Sequence, residues 1–127
     1  MEANMVGWFE IPVMDMTRAQ QFYEKVFDIK IHIVEMGETT MGWFPFPKDP
    51  QARGAGGSLI KNTTHYKPSD NGTLIYFSSA EIMHELSRVV EAGGQVLKEK
   101  TMISEDIGYM ALFLDSEGNR IALHSRA

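Results

Sequence analysis

The stretch Trp8-Phe9-Glu10-Ile11-Pro12-Val13 opens the first of two halves built on one plan, and Thr73-Leu74-Ile75-Tyr76-Phe77-Ser78 opens the second. In each half a helical pattern follows the alternating strand, over residues 17–27 and 80–92, and several more strand-like segments come after it. The halves share almost no residue identities, so the repeat rests on the order of elements. It predicts a module that is completed by its copy.

Length and composition limit the classes of site and partner. We expect one domain, residues 1–127, with module one over about 5–62, a linker over 63–72 and module two over about 73–126. The chain has no cysteine, which excludes disulfides, zinc–thiolate sites, iron–sulfur clusters and thiol nucleophiles. The net charge is −5 and the 12 basic residues are scattered, so neither nucleic acid nor a membrane is an expected partner. Without a signal-peptide pattern or an apolar run of roughly 20 residues, a cytoplasmic location is expected.

Alternation gives each opening strand one apolar face and one mixed face. Phe9, Ile11 and Val13 share a face of the first strand, opposite Trp8 and Glu10. Two amphipathic helices supply stripes that would cover the apolar faces, formed by Ala19, Phe22, Tyr23, Val26 and Phe27 in the first and by Ile82, Met83, Leu86, Val89 and Val90 in the second. The sequence therefore predicts an α+β fold with helices on the outer face and the mixed faces left open.

Capping and turn residues mark the boundaries. Either Asp15 or Thr17 caps the first helix, and Gly93-Gly94 ends the second. The run 115–119 predicts a hairpin turn between the last two strands. The glycine cluster at 54–57 lacks the helix and lysine of a phosphate loop, so close approach of a ligand or of neighbouring chain is the alternative. The linker is either a plain connector or a segment that folds over a pocket mouth.

Three motifs together resemble one known family. They are Phe9-Glu10-Ile11-Pro12-Val13-Met14-Asp15-Met16, Arg18-Ala19-Gln20-Gln21-Phe22-Tyr23 and Asp115-Ser116-Glu117-Gly118-Asn119-Arg120-Ile121, and they are similar to the vicinal oxygen chelate superfamily. That superfamily holds glyoxalase I, extradiol dioxygenases, fosfomycin-resistance enzymes and bleomycin-binding proteins. The resemblance covers nearly the whole chain and implies two βαβββ modules that form an open half-barrel cup. Function does not follow from this fold, because its members isomerise, cleave, add thiols or only sequester.

The resemblance also implies a divalent metal on the cup floor, bound by histidines and glutamates of the first and last strands of each module. The matching positions are Trp8, Leu74 and Ala122, with a fourth near residues 57–59. These side chains offer no lone pair to a hard or borderline cation. We therefore expect no metal ligand, no cofactor and no metal-dependent glyoxalase or dioxygenase chemistry.

A polar side chain lies two residues after each of the three positions: Glu10, Tyr76 and His124. Two residues along a strand is one step of roughly 6–7 Å on the same face. A carboxylate, a phenol and an imidazole could converge there as acid, base or binding groups, or, less favoured, hold a displaced metal. The alternative, given equal weight, is that Glu10 and His124 form a hydrogen-bonded pair that orders the cup floor.

Two functions remain open from the sequence. The first is a metal-independent small-molecule-binding protein of the glyoxalase/bleomycin-resistance type, with Glu10 as polar anchor and ligand contacts from Trp8, Trp43, Leu74, Tyr76 and Ala122. The second is a lyase or isomerase on a small oxygenated metabolite, with Glu10 and His124 as the catalytic acid–base groups. A homodimer is expected, because exposed strand edges make self-pairing easy.

Overall fold

The computed structural model describes residues 4–49 and 51–127. The absence of a signal peptide was predicted from a segment that includes residues 1–3, and these lie outside the described residues. The first module comprises β1 (Trp8–Pro12), α1 (Met16–Phe27), β2 (His32–Met36), β3 (Thr39–Trp43) and β4 (Gly56–Lys61). The second comprises β5 (Ile75–Ser78), α2 (Ile82–Leu86), α3 (Val89–Ala92), β6 (Gln95–Ser104), β7 (Gly108–Leu114) and β8 (Arg120–Ser125).

Each module forms its own four-stranded sheet, in the orders β1-β4-β3-β2 and β5-β8-β7-β6. In both sheets the first strand pairs in parallel with the last strand of its module, and the remaining pairs are antiparallel. The repeat predicted from element order is therefore present as two sheets of the same topology. The whole is an α+β half-barrel cup whose sheets remain open, as expected.

Helix α1 follows the sequence pattern closely. The Asp15 side chain accepts a hydrogen bond of 3.0 Å from the Arg18 backbone N–H, which settles the choice of cap. Its predicted stripe is buried, with no exposed area at Ala19, Phe22, Tyr23 and Val26. The helix ends at Asp28, which adopts the left-handed conformation with φ 53°.

Four residues separate the end of α1 at Phe27 from the start of β2 at His32. The structure begins β2 at His32, because the side chains of α1 take the backbone groups of Ile31 first. Glu24 accepts the Ile31 N–H at 2.9 Å, and the Gln20 amide donates to the Ile31 carbonyl at 3.3 Å. A residue bound in this way to a helix cannot also extend a β-ladder.

The prediction of one continuous second helix over residues 80–92 was wrong. The structure divides it into α2 and α3, with a break at Ser87 and Arg88. The Ser87 hydroxyl donates to the His84 carbonyl at 3.3 Å, a local bond that competes with helix continuation. Two residues of the predicted stripe are exposed instead of buried: Val90 is 66% exposed and Met83 is 43% exposed.

One hydrophobic core joins the helix-facing sides of both sheets. Phe77 of β5 lies 5.7 Å, between ring centroids, from Phe9 of β1 and 4.8 Å from Phe27 of α1. Phe22 of α1 contacts Phe113 of β7 at 6.0 Å. Helix α1 therefore belongs to the cores of both modules. Within the described residues, no helix has the length and hydrophobicity needed to cross a bilayer.

The predicted turn at 115–119 connects β7 to β8 and also fastens the second module to the first. The Glu117 carboxylate accepts the backbone N–H groups of Met14 and Asp15, each at 2.9 Å. It also accepts two hydrogen bonds from the Arg18 guanidinium, at 2.6 and 2.9 Å. Burial opposes ionisation of Glu117, but these bonds outweigh it and lower its pKa to about 2.

A second carboxylate of the same turn is buried beneath it. Asp115 accepts a 2.6 Å hydrogen bond from the Tyr23 hydroxyl of α1 and holds both the backbone and the amide of Asn119. The Asn119 amide continues to the Pro12 carbonyl at 2.8 Å. Residues of all three motifs that carry the resemblance thus meet in one network between the modules. Their role in this chain is architectural.

Candidate functional site

The open face of the first sheet, the side turned away from the helices, carries one row of polar and aromatic side chains. Glu10 on β1 stands opposite Ser58 on β4, Ser58 opposite Trp43 on β3, and Trp43 opposite His32 on β2. Residues that pair across strands share a face, so this row runs over the full width of the sheet. The sequence indicated the facing of Glu10, whereas that of Trp43 needed the strand register.

Two aromatic side chains of this face predicted as ligand contacts lie together. The Trp8 and Trp43 rings are 5.6 Å apart and nearly perpendicular, and both pack on Phe46, at 6.4 and 6.2 Å. Trp8 remains 38% exposed. This aromatic cluster, Trp8, Trp43 and Phe46, presents a wall on which a planar or apolar molecule can stack.

Two hydrogen-bonding groups on the same face have no protein partner. The Trp43 Nε1–H and the Ser58 hydroxyl are both buried and make no hydrogen bond within the described residues. An unsatisfied buried donor is costly, so such a group usually meets water or a ligand. This part of the sheet could therefore bond a molecule that carries acceptor oxygens.

Glu10 and His124 lie beside different groups. The Glu10 carboxylate raises the pKa of Tyr66, as an acceptor for its hydroxyl and through its negative charge. His124 Nε2 lies 2.7 Å from the Ile107 carbonyl oxygen. No hydrogen bond joins Glu10 to His124 within residues 4–49 and 51–127. Their action as an acid–base pair stays a prediction.

The remaining predicted contacts lie on or beside the second sheet. Ala122 is fully buried, between Tyr76 of β5 and Leu112 of β7 in the strand register. Tyr76 is 50% exposed, and Leu74 precedes β5. Both Leu74 and Tyr76 line the larger of two cavities, whereas Ala122, Trp8 and Trp43 do not.

The larger cavity, which we call the aromatic cavity, has a volume of about 670 Å³. It is lined by residues of β1, of β5 and of the loop that joins β3 to β4. Its walls are mainly apolar and aromatic, formed by Phe9, Phe27, Phe44, Phe46, Tyr76 and Phe77. A space of this size and lining is typical of small-molecule sites.

Glycines at the start of β4 allow the rings to line this cavity. A Cβ on Gly57 would overlap the Phe9 ring, and one on Gly56 would lie 3.3 Å from both Phe46 and Trp8. The close approach expected at the glycine cluster is therefore an approach of aromatic side chains.

Gly57→Ala is expected to lower the free energy of unfolding by about 1.5 kcal/mol, because the Phe9 ring must leave its place against β4. Urea unfolding followed by circular dichroism measures the change. Gly7→Ala is the control, since a Cβ there meets no atom within 4 Å. Equal stability of the two variants would contradict this explanation of Gly57.

The smaller cavity, which we call the linker pocket, has a volume of about 200 Å³. Glu10 and Pro12 of β1 form one side, and Arg120 and Ile121 of β8 form another. The linker residues Lys67, Ser69, Asn71 and Thr73 complete it. Of the two readings of the linker, the structure thus favours the one in which it covers a pocket.

The residues at the metal positions implied by the resemblance do not fit a metal. Trp8, Leu74 and Ala122 provide no lone pair for a cation, and the fourth position lies on β4 between Gly57 and Leu59. The described part of the chain holds no group of three or more histidine, aspartate or glutamate side chains placed to bind a metal ion.

Several site residues escaped the sequence analysis. Phe44, Phe46 and Arg53 line the aromatic cavity from the loop after β3, and Arg120 reaches the linker pocket from β8. The run Phe44-Pro45-Phe46-Pro47 was the available signal, since prolines hold a loop open between aromatic side chains.

Comparison with known proteins agrees with this architecture. The profile of the Glyoxalase/Bleomycin resistance protein/Dioxygenase superfamily matches residues 5–123. No curated protein matches the sequence.

Solved structures with the same fold share little sequence with the chain. Glyoxalase I from Zea mays superposes with a TM-score of 0.73 at 18% identity, over 94% of this chain and 45% of that one, so the chain spans just under half of it. An antibiotic binding protein from a Streptomyces species gives 0.69 at 22% identity, over 100% and 99% of the two chains. A glyoxalase/bleomycin resistance protein from Albidiferax ferrireducens gives 0.70 at 17%, over 98% and 100%. These similarities, at such identities, are similarities of fold.

The matched profile covers nearly the whole chain and agrees with the paired βαβββ modules and the open cup. The chain belongs to the Glyoxalase/Bleomycin resistance protein/Dioxygenase superfamily.

Proposed function

We propose that the protein binds a small, largely aromatic molecule in the aromatic cavity, without a metal. The observation that carries this proposal is the cavity of about 670 Å³ with walls of phenylalanine and tyrosine. Burial of one aromatic ligand ring against such walls contributes through apolar area and through edge-to-face contacts. The antibiotic binding protein of similar fold supports the same class of function.

The ligand is expected to carry acceptor oxygens as well as rings. Within the described part of the chain, Trp43 Nε1 and Ser58 Oγ are donors without a partner, and Trp43 packs on Phe46, which lines the cavity. Glu10, the polar anchor expected from the sequence, stands beside Ser58 in the strand register but lines the linker pocket, so this proposal does not use it. Quinones and polycyclic phenols combine flat rings with such oxygens, so they are the compounds to test first.

Fluorescence titration with 2-naphthol and 1,8-dihydroxyanthraquinone tests this function. The only tryptophans of the chain are Trp8 and Trp43, and both contact Phe46, so saturable quenching is expected when a ligand enters. Ala55 lines the cavity, and Ala55→Phe is expected to weaken binding at least about tenfold by filling the space.

Ala80→Phe is the matched control, because Ala80 is exposed and lies outside both cavities. Its affinity for each probe should equal that of the unaltered chain. Absence of saturable quenching with both probes, or equal binding by the Ala55 and Ala80 variants, would overturn the proposal.

The homodimer and the cytoplasmic location expected from the sequence are also proposals. Strands β2 and β6 end their sheets, and Met36 on β2 and Met102 on β6 are 53% and 51% exposed. Free strand edges with apolar side chains favour pairing with a second copy. Analytical ultracentrifugation would show a species of twice the 14.3 kDa chain mass if this holds.

A further inference from the structure

We propose that the linker pocket is a second binding site and that it takes a small zwitterion, a molecule with one carboxylate and one ammonium group. This inference goes beyond the proposed function, because it concerns a separate cavity with polar walls. Ile75 borders both cavities, but the charged residues Glu10, Lys67 and Arg120 border only the linker pocket.

The charges of the pocket lie on different walls. Glu10 is on β1, whereas Arg120 is on β8 and Lys67 is in the linker. Among the described residues none of the three forms a salt bridge, and the pairs that do form are elsewhere, at Arg18, Lys25 and Lys100. A pocket with an unpaired carboxylate on one wall and two unpaired cations on the others is complementary to a ligand of mixed charge.

Arg120 provides the strongest sign of a missing partner. Its Nη2 donates to the Gly72 carbonyl at 3.1 Å, which fixes the guanidinium against the linker. Its Nε is buried and has no hydrogen-bond partner in the described structure. A carboxylate is the acceptor that a guanidinium binds best, since the group offers several N–H donors in one plane.

The opposite wall is suited to an ammonium group. The Glu10 carboxylate forms no salt bridge among the described residues, and a carboxylate has about four acceptor positions for the N–H groups of an ammonium. The pocket volume of about 200 Å³ equals the liquid volume of roughly seven water molecules at about 30 Å³ each, which suits a molecule the size of a small amino acid.

Backbone and side-chain polar groups of the linker are already held in place around this space. The Ser69 N–H donates to Asn119 Oδ1 at 3.0 Å, and the Asn71 N–H donates to the Ser69 hydroxyl at 3.0 Å. Both residues line the pocket. The binding site is thereby ordered before a ligand arrives, which lowers the entropic cost of binding.

Nuclear magnetic resonance titration of the ¹⁵N-labelled full chain with L-alanine tests the proposal. The Arg120 Nε–H signal and the amide signals of Ser69 and Asn71 are expected to shift in a saturable way. Acetate and methylammonium each carry half of the charge pattern, and each is expected to bind at least about tenfold more weakly than L-alanine.

Substitutions test the binding of the carboxylate and of the ammonium group of the ligand separately. Lys67 is exposed, so Lys67→Met tests the carboxylate end without risk to the fold, and Arg120→Met tests it more strongly. Glu10→Gln should weaken L-alanine at least about fivefold and leave acetate unchanged or tighter. Arg126→Met is the control, because Arg126 is exposed and lies outside both cavities.

One outcome of these titrations supports the proposal, and the others overturn it. Saturable shifts at Arg120 that depend on both Glu10 and Lys67 support a zwitterion site. Acetate that binds as tightly as L-alanine, or affinity for L-alanine unaffected by Glu10→Gln, would overturn it in favour of a simple anion site. Absence of any shift at Arg120 Nε would overturn the site itself. Binding of 2-naphthol tests the aromatic cavity, and binding of L-alanine tests the linker pocket. Failure of the proposed function is therefore distinguishable from failure of the zwitterion site.

Discussion

Asp115→Ala is expected to lower the free energy of unfolding by about 3–5 kcal/mol, the largest effect predicted for one substitution in this chain. The carboxylate is 3% exposed and accepts four hydrogen bonds, from the Tyr23 hydroxyl, the Glu117 N–H, and the Asn119 N–H and amide. Alanine leaves these donors buried without an acceptor. Thermal unfolding followed by circular dichroism would show the loss.

Two variants bracket this result. Tyr23→Phe removes one of the four bonds and keeps the ring, so about 1 kcal/mol is expected. Asp70→Ala, at an exposed linker position, should change stability by no more than about 0.5 kcal/mol. If the Asp115 variant were no less stable than the Asp70 variant, the turn would not fasten the modules as described.

The amino-acid sequence predicted most of the fold because the relevant signals are local. Alternation placed Ile11 and Val13 on one face, and both are buried in the core, 2% and 1% exposed. The 3.6-residue period placed Phe22 and Tyr23 under the sheets in the same way. Each of these assignments depends on neighbours within one or two turns of chain.

The errors in the second helix show where local periodicity fails. Val90 fitted the apolar stripe of a continuous helix, yet the Ser87 side chain bonds the His84 carbonyl and the helix is interrupted there, so that Val89 is buried and Val90 is not. A serine within an amphipathic pattern can either continue the helix or interrupt it through such a local bond, and packing decides between the two. Val90 is consequently 66% exposed.

The candidate sites depend on contacts between distant segments, so the sequence could not predict them fully. Trp8 and Trp43 meet because β4 lies between β1 and β3, which is a property of the topology. Glu10, Lys67 and Arg120 line one pocket although they lie on β1, in the linker and on β8. Alternation indicated which side chains share a face of one strand, and it carried no information about their partners on other elements.

The motifs of the resemblance predicted the family but not the function. The turn at 115–119 and the helix pair Phe22-Tyr23 hold the modules together, a requirement that binders and enzymes of this fold share. The two cavities are lined mainly by other side chains. Function is therefore to be sought at Phe44, Phe46, Glu10 and Arg120 more than at the residues that identify the fold.

Glu117→Gln is expected to lower the free energy of unfolding by about 2–3 kcal/mol at pH 7, because the paired bond to Arg18 loses its charge. That range allows for solvent screening, since the Arg18 side chain is 53% exposed. The pKa of Glu117 falls from its ordinary 4.5 to about 2 on folding, so its stabilisation is complete above about pH 4.5.

The difference in the free energy of unfolding between the unaltered chain and the Glu117→Gln variant should therefore shrink as the pH falls from about 4.5 toward 2. In that range Glu117 takes up its proton in the folded state. Urea unfolding at pH 7, 4 and 3 measures it, and the neighbouring Asp115, whose pKa burial raises, is present in both proteins. Glu105→Gln, at an exposed position, serves as the control and should show no such trend. A difference that stayed constant from pH 7 to pH 3 would mean that the charge of Glu117 does not hold α1 against the turn.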